Sequence, residues 1–365
     1  MMSYAIRFSV LTALVVVFIV AVAPAQTVKV GGYLQSWYLS QETPAVKNDP
    51  GIDSSDNGFR IRRARLNVKA ELNDVFCIDS WFEFAGASNI LLDFKGIAKI
   101  APEFVVTVGQ FIPPVQMNET VNIPSSNIPM YELSDIANYL ADAMGTNSYR
   151  DMGLMLGGQY DVVKYGVFYG NGRGRFNSVA TYPAAPSAGT ILNRKFGQGL
   201  YGGRIDIEPV KGICVGSHYS INKQDSLLVS GSTPTNINRS SYSFNAGAQG
   251  FAPLPDLFAD IEYANGKIKD GSGSDYNGVT ATLGYKVIPL LQVLGRYDGM
   301  TQNCYAYGKT LASKLQVKNW TFGTTAFFCR EKTELVKVGL NYEIRNESPT
   351  EIRNNVLVLW TQFRF

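Results

Sequence analysis

The last ten residues, Val356 to Phe365 (VLVLWTQFRF), constrain the fold more than any other stretch. A strand alternates faces with a period of two. Phe365, Phe363, Thr361, Leu359 and Leu357 therefore share one face, and Gln362, Arg364, Trp360 and Val358 share the other. An apolar stripe thus runs beside a more polar one. Chain ends fray unless they are tied down, so an aromatic final strand calls for neighbours on both edges. A sheet that closes on itself supplies both and leaves no unpaired edge. The alternative is an ordinary buried C-terminal strand of a soluble protein.

The other end points the same way. Residues 1–25 read as a signal peptide: Arg7 gives the positive start, Phe8 to Val22 an uncharged apolar run, and Ala23-Pro24-Ala25 an A-x-A cleavage site. The run is short for a membrane anchor, and no basic stop-transfer cluster follows it. Residues 26–365 contain no further apolar run of helix-spanning length. A chain of this kind crosses a membrane as a closed barrel or not at all. The terminal Phe at this spacing also resembles the assembly signal of bacterial outer-membrane barrels.

Charged residues make up only 17% of the chain, against about a quarter in soluble domains, and aromatics 12%. That balance suits lipid outside, water inside and aromatic girdles at both interfaces. A formal net charge of +3 without basic-aromatic runs offers nothing to nucleic acid. Cys77, Cys214, Cys304 and Cys329 form no C-x-x-C pair, so zinc and dithiol motifs are absent and disulfide pairing stays open. No cofactor motif is present, since no helix pattern follows Gly170-Asn171-Gly172-Arg173-Gly174. Asp49, Asp53 and Asp56 could offer oxygen ligands to calcium, but their spacing is loose for a defined calcium loop. The lone histidine, His218, reads as a lumen-facing polar residue; a hydrolase would have to build on it with Ser217 or Ser220.

Strand-length segments repeat along the chain with short turns and long polar loops in alternation. The expected fold is all-β: a transmembrane antiparallel barrel of about sixteen strands with its third long loop folded inward. The segment Gly299 to Val317 is ambiguous, and Ser134 to Ala143 has the pattern of a short helix. Alternation is clean in Asp151–Tyr160, Gly199–Glu208 and Val279–Val287.

The stretch Gly58 to Leu72 (GFRIRRARLNVKAEL) carries the densest positive charge. Counting from the turn, Ala64, Leu66, Val68 and Ala70 face lipid, and Arg63, Arg65, Asn67 and Lys69 face the lumen. Unbroken alternation puts Arg60 and Arg62 outside at headgroup level; a β-bulge would turn them inward instead. This stretch, the aromatic strand Trp81-Phe82-Glu83-Phe84 and Thr107-Val108-Gly109-Gln110-Phe111 resemble the phosphate-selective porin O and P family. So do Tyr149-Arg150-Asp151-Met152-Gly153 and Gly166 to Gly172. By motif the resemblance covers residues 55–175.

It implies a homotrimeric outer-membrane porin of a Gram-negative bacterium, bedded in lipid and lipopolysaccharide. Such a protein is not an enzyme and passes small hydrophilic solutes, with anions and possibly phosphate favoured; a non-selective pore and an outer-membrane enzyme or adhesin are the alternatives. The pore-lining residues would be Arg63, Arg65, Lys69, Arg150, Arg204, Lys286 and Arg296. Arg173, Arg175, Arg194 and Lys195 would form an attracting mouth. The long insertion Ile112 to Ser148 departs from that pattern. It holds Glu119, Glu132, Asp135 and Asp142 and no Lys or Arg, a constriction that repels phosphate unless its acids turn away or pair with wall arginines.

Overall fold

The computed structural model describes residues 27–42, 45–46, 55–86, 90–124, 126–144, 146, 149–172, 199–227, 235–269, 273–305 and 311–365. The signal-peptide reading, Asp49 and Asp53, and the four mouth residues Arg173, Arg175, Arg194 and Lys195 lie outside them.

The elements are β1 (Thr27–Glu42), β2 (Ala45–Val46), β3 (Ser55–Glu71), β4 (Phe76–Glu83), β5 (Leu91–Ala101), β6 (Phe104–Phe111), α1 (Asn118–Val121), α2 (Asp135–Met144), β7 (Asp151–Tyr160) and β8 (Val163–Gly170). They continue with β9 (Gly199–Val210), β10 (Ile213–Leu227), β11 (Thr235–Phe251), β12 (Leu254–Lys269), β13 (Ser274–Ile288), β14 (Leu291–Tyr305), β15 (Leu311–Phe327), β16 (Val336–Ser348), β17 (Ile352–Arg353) and β18 (Val356–Arg364). All but β2 and β17 join one closed antiparallel barrel of sixteen strands; those two pair with each other. The stretch left ambiguous by its sequence resolves as the continuation of β14 to Tyr305 and the start of β15 at Leu311.

The barrel inverts the arrangement of a soluble protein. Leu154, Leu156, Val167, Ile205, Leu283, Phe322, Leu340 and Leu359 are exposed on the outside, whereas Ser243, Asn341, Thr321, Asn319 and Gln362 are buried on the inside. Lipid outside and polar partners inside are the condition that makes such a pattern stable. Closure runs through the terminal strand. β18 pairs with β1 from Tyr33↔Arg364 to Gln41↔Val356, and β1 pairs with β3 on its other edge. Phe365 extends the ladder by exchanging backbone hydrogen bonds with Gly32 at 3.0 and 3.2 Å. A Cβ on Gly32 would lie 2.4 Å from the backbone carbonyl oxygen of Arg65 on the adjoining strand, so this position of the seam calls for glycine. Leu359 sits half-exposed on the lipid face. Leu359→Arg is expected to cost about 2–4 kcal/mol at mid-depth. The check is a lowered midpoint of heat-induced unfolding in detergent; an unchanged midpoint would mean that this face does not meet apolar surroundings.

Turns and loops segregate to opposite ends. The turn end includes Lys211-Gly212, where Gly212 adopts φ +86° and a Cβ would meet Phe251 N at 2.7 Å. Among the described connections, the segment between β6 and β7 stands apart: it carries a hydrophobic core of its own. Val115 and Met117 join Ile136, Ala137, Leu140 and Met144 of α2. They pack against the inward side chains Phe111, Phe168, Leu200, Ala264, Met300 and Val317. The spacing of Ile136, Ala137, Leu140 and Met144 gives α2 a single apolar face, which accounts for a helix in this place. Glycines in the wall make room for that face, since a Cβ on Gly266 would lie 2.3 Å from Leu140 and one on Gly278 2.9 Å from Ile136.

Candidate functional site

The basic strand β3 is the starting point. Its register against β1 slips between Gln35↔Arg63 and Ser36↔Ile61, so Arg62 is an extra residue. Of the two readings open for Arg60 and Arg62, the bulge is the one found. Ile61 is exposed on the outside, while the Arg60 and Arg62 guanidinium carbons lie 4.5 and 5.3 Å from the centroid of the buried, inward Trp37 ring. Arg60, Arg62, Arg63, Arg65 and Lys69 therefore form a basic ladder on the inner wall, interrupted by Asn67.

Most of that charge is met by carboxylates. Arg62 Nε donates to Glu132 Oε2 at 2.8 Å, and Arg63 Nη2 donates to Glu132 Oε1 at 2.7 Å. Arg63 also donates to Gln35, and Gln35 to Gln362, each at 2.7 Å, which stitches the closing seam from within. Arg65 pairs with Glu83 at 2.7 Å and Lys69 with Glu71 at 3.1 Å. Arg150 is buried against Asp93 at 2.5 Å. Arg204 is buried against Asp206 at 2.7 Å and also donates to Asn118 Oδ1 at 3.2 Å. Arg296 donates to the Glu132 carbonyl at 2.7 Å and lies 3.8 Å from Glu343. Lys286 stands near the turn end, 5.7 Å from the Phe327 ring, and lines a cavity there. From sequence these cations line a water-filled path. Arg63, Arg204, Arg150 and Arg296 are buried beside partners, so much of their charge goes into holding other groups in place.

What they hold is the β6–β7 segment. Both oxygens of Glu262 on β12 accept from Asn118 N, at 2.9 and 2.8 Å, at the start of α1. Asp298 on β14 accepts from Asp135 N at the start of α2. Carboxylates suit these places, because the first N–H groups of a helix lack intrahelical acceptors and its N-terminus is electropositive. Further round the wall, on β16 and β18, Lys337 Nζ and Gln362 Nε2 donate to Ser126 O at 2.6 and 3.0 Å. Tyr131 joins Trp37, Val356, Val358 and Trp360 in a second apolar cluster, and its hydroxyl donates to Glu343 at 2.7 Å. Asn222 on β10 donates to Met144 O at 2.7 Å. The segment thus touches inner-wall residues on several sides of the barrel.

Its acids have distinct surroundings. Burial alone would raise the Glu132 carboxyl, but Arg63 and Arg62 outweigh burial and hold it below the usual carboxylate range. Burial raises Glu119, despite the charge of Arg296 and hydrogen bonds from Ser134. Burial also raises Asp135, with Glu343 adding to it, and its carboxylate accepts from Asn319 Nδ2 at 2.7 Å. The Asp142 side chain lies outside the described residues, as does that of Asp56. The four cysteines are unpaired thiols.

His218 faces inward and is fully buried, with Nδ1 2.7 Å from Ser243 Oγ and Nε2 3.3 Å from Ser241 Oγ. Ser243 in turn donates to Glu262 at 2.5 Å. The carboxylate therefore contacts serine rather than histidine, so the order needed to activate a nucleophile is not met. All three groups are shut away from solvent.

Sequence reasoning missed the wall groups that grip the segment: Trp37, Glu262, Asp298, Glu343 and Lys337. Strand parity could have placed each of them inside, since each alternates with an apolar outward neighbour. Nothing local tells which of the inward groups meets the segment.

No family model matches the sequence, and no curated protein matches it either. Solved structures do. A loop-deletion variant of the outer membrane protein OmpT of Vibrio cholerae shares 13% identity over 93% of this chain and 100% of its own, with a TM-score of 0.64. The anion-selective porin from Comamonas acidovorans shares 11% identity over 93% and 99%, TM-score 0.63. The outer membrane channel DcaP of Acinetobacter baumannii shares 12% over 93% and 97%, TM-score 0.57. The likeness is one of fold and spans nearly the whole chain: this protein has the closed antiparallel barrel that these outer-membrane proteins share.

Proposed function

We propose that this chain is an outer-membrane channel through which small hydrophilic solutes diffuse, with a mild preference for anions. Residues 26–365 would form the barrel after removal of residues 1–25, in a Gram-negative outer membrane among lipid and lipopolysaccharide. The observation that carries the reading is the inner basic ladder inside an apolar-sided closed barrel. Its cations Arg60, Arg62, Arg63, Arg65 and Lys69 face the carboxylates Glu132, Glu83 and Glu71. Excess positive charge on a pore wall replaces part of an anion's hydration and favours its entry. Similarity to an anion-selective porin supports this, and a trimer form of Vibrio cholerae OmpT supports a homotrimer.

The pairing of the ladder with acids argues for weak rather than strict selectivity. In a planar bilayer with a KCl gradient, the reversal potential is expected to show modest anion preference. Near-equal permeabilities would make the pore non-selective. Strong anion preference abolished by low phosphate would make it a phosphate channel, and no conductance at all would remove the channel reading.

A further inference from the structure

Toward the long-loop side of the docked segment lies a cavity of about 450 Å³. Six charged side chains line it: Arg60, Arg62, Arg345, Glu132, Asp135 and Glu343. Four are spent on each other. Arg62 pairs with Glu132, and Arg345 Nε donates to Glu343 at 2.5 Å. Among the described residues Arg60 and Asp135 have no ion-pair partner. Arg60 is exposed, and its guanidinium carbon lies 4.5 Å from the centroid of the Trp37 ring. A guanidinium held over an aromatic face keeps N–H donors for a carboxylate. Asp135 is only half-buried and accepts one side-chain hydrogen bond, from Asn319.

A cavity that offers one uncommitted cation and one uncommitted carboxylate repels part of any singly charged guest. An anion meets Asp135, and a cation meets Arg60. A solute carrying both charges satisfies both. We propose that this cavity binds small zwitterions, namely amino acids and short peptides, with the carboxylate on Arg60 and the ammonium on Asp135. The inference rests on the channel reading above and adds a solute class to it.

The test is uptake into proteoliposomes of four labelled forms of one dipeptide at equal low concentration: alanylalanine, its N-acetyl form (an anion), its amide (a cation) and the N-acetyl amide (neutral). The zwitterion is expected to enter about fivefold faster than the neutral form, the worth of one partly exposed charge contact. Arg60→Gln should slow the zwitterion and the anion. Asp135→Asn should slow the zwitterion and leave the anion unchanged or faster. Equal entry of zwitterion and neutral form by the wild-type protein would overturn the proposal while leaving the channel intact, and so would equal slowing of zwitterion and anion by Asp135→Asn. If neither variant assembles, the wild-type ratio decides alone. Entry of none of the four forms would sink the channel reading and this inference together.

Discussion

Glu132→Ala is expected to loosen the docked segment by about 3–5 kcal/mol, the usual cost of stripping the partner from a buried charge. Arg63 is the reason. Its side chain is 5% exposed, and among the described residues it donates, apart from Glu132, only to Gln35. Without the carboxylate a buried guanidinium keeps one neutral acceptor. Glu132→Gln keeps the shape and part of the hydrogen bonding, so it should cost less. The measurement is the thermal unfolding midpoint in detergent, with the current noise of single channels as a second readout of a loosened segment. The effect carries a pH signature. Because Arg63 and Arg62 hold the Glu132 carboxyl below its ordinary value, its stabilisation is present above the ordinary carboxylate range. It is lost as pH falls through the depressed folded-state value. The gap between wild type and Glu132→Gln should therefore be full at pH 7 and begin to close below about pH 4. A gap that persists undiminished in stronger acid would mean that the charge of Glu132 is not what holds the segment.

Trp360→Ala should be comparably damaging, at about 3–5 kcal/mol for a large side chain removed from a packed site. Trp360 is 2% exposed and joins Trp37, Tyr131, Val356 and Val358 where the closing strand meets the docked segment. Its indole lies on Gly339, and its Nε1 donates to Asn341 Oδ1 at 2.7 Å. The truncation leaves a cavity at the seam and an amide without its donor. Trp360→Phe fills most of the space and loses mainly the hydrogen bond, so about 1 kcal/mol is expected. If Trp360→Ala unfolded at the wild-type midpoint, the closing seam would owe nothing to its inner face.

These two sites show how unevenly the structure was legible. Parity alone puts Trp360 on the more polar face with Gln362 and Arg364, because side-chain direction in a strand depends only on position modulo two. The same counting placed Arg63, Arg65 and Lys69. It did not decide Arg60 and Arg62, because one inserted residue reverses parity beyond it. Gly109 illustrates a different limit. Its φ of +133° and the 2.1 Å from its Cβ position to Phe94 O make glycine necessary within Thr107 to Phe111, yet the sequence shows only that a glycine is there. The acids of the β6–β7 segment were visible as acids, but whether they faced a solute or a wall arginine was left open. Glu132 took the arginines.

The alternation of apolar and polar residues, the short turns and the aromatic final strand determined a closed barrel from sequence alone. Each is a local property with a period of two, readable without knowing any partner. The course of the segment between β6 and β7 was decided only in three dimensions. Arg62 meets Glu132 across 70 residues, and Asp135 meets Asp298 across 163. Contacts at such separations depend on where closure brings the walls together, and on the single bulge at Arg62 that turned two arginines inward.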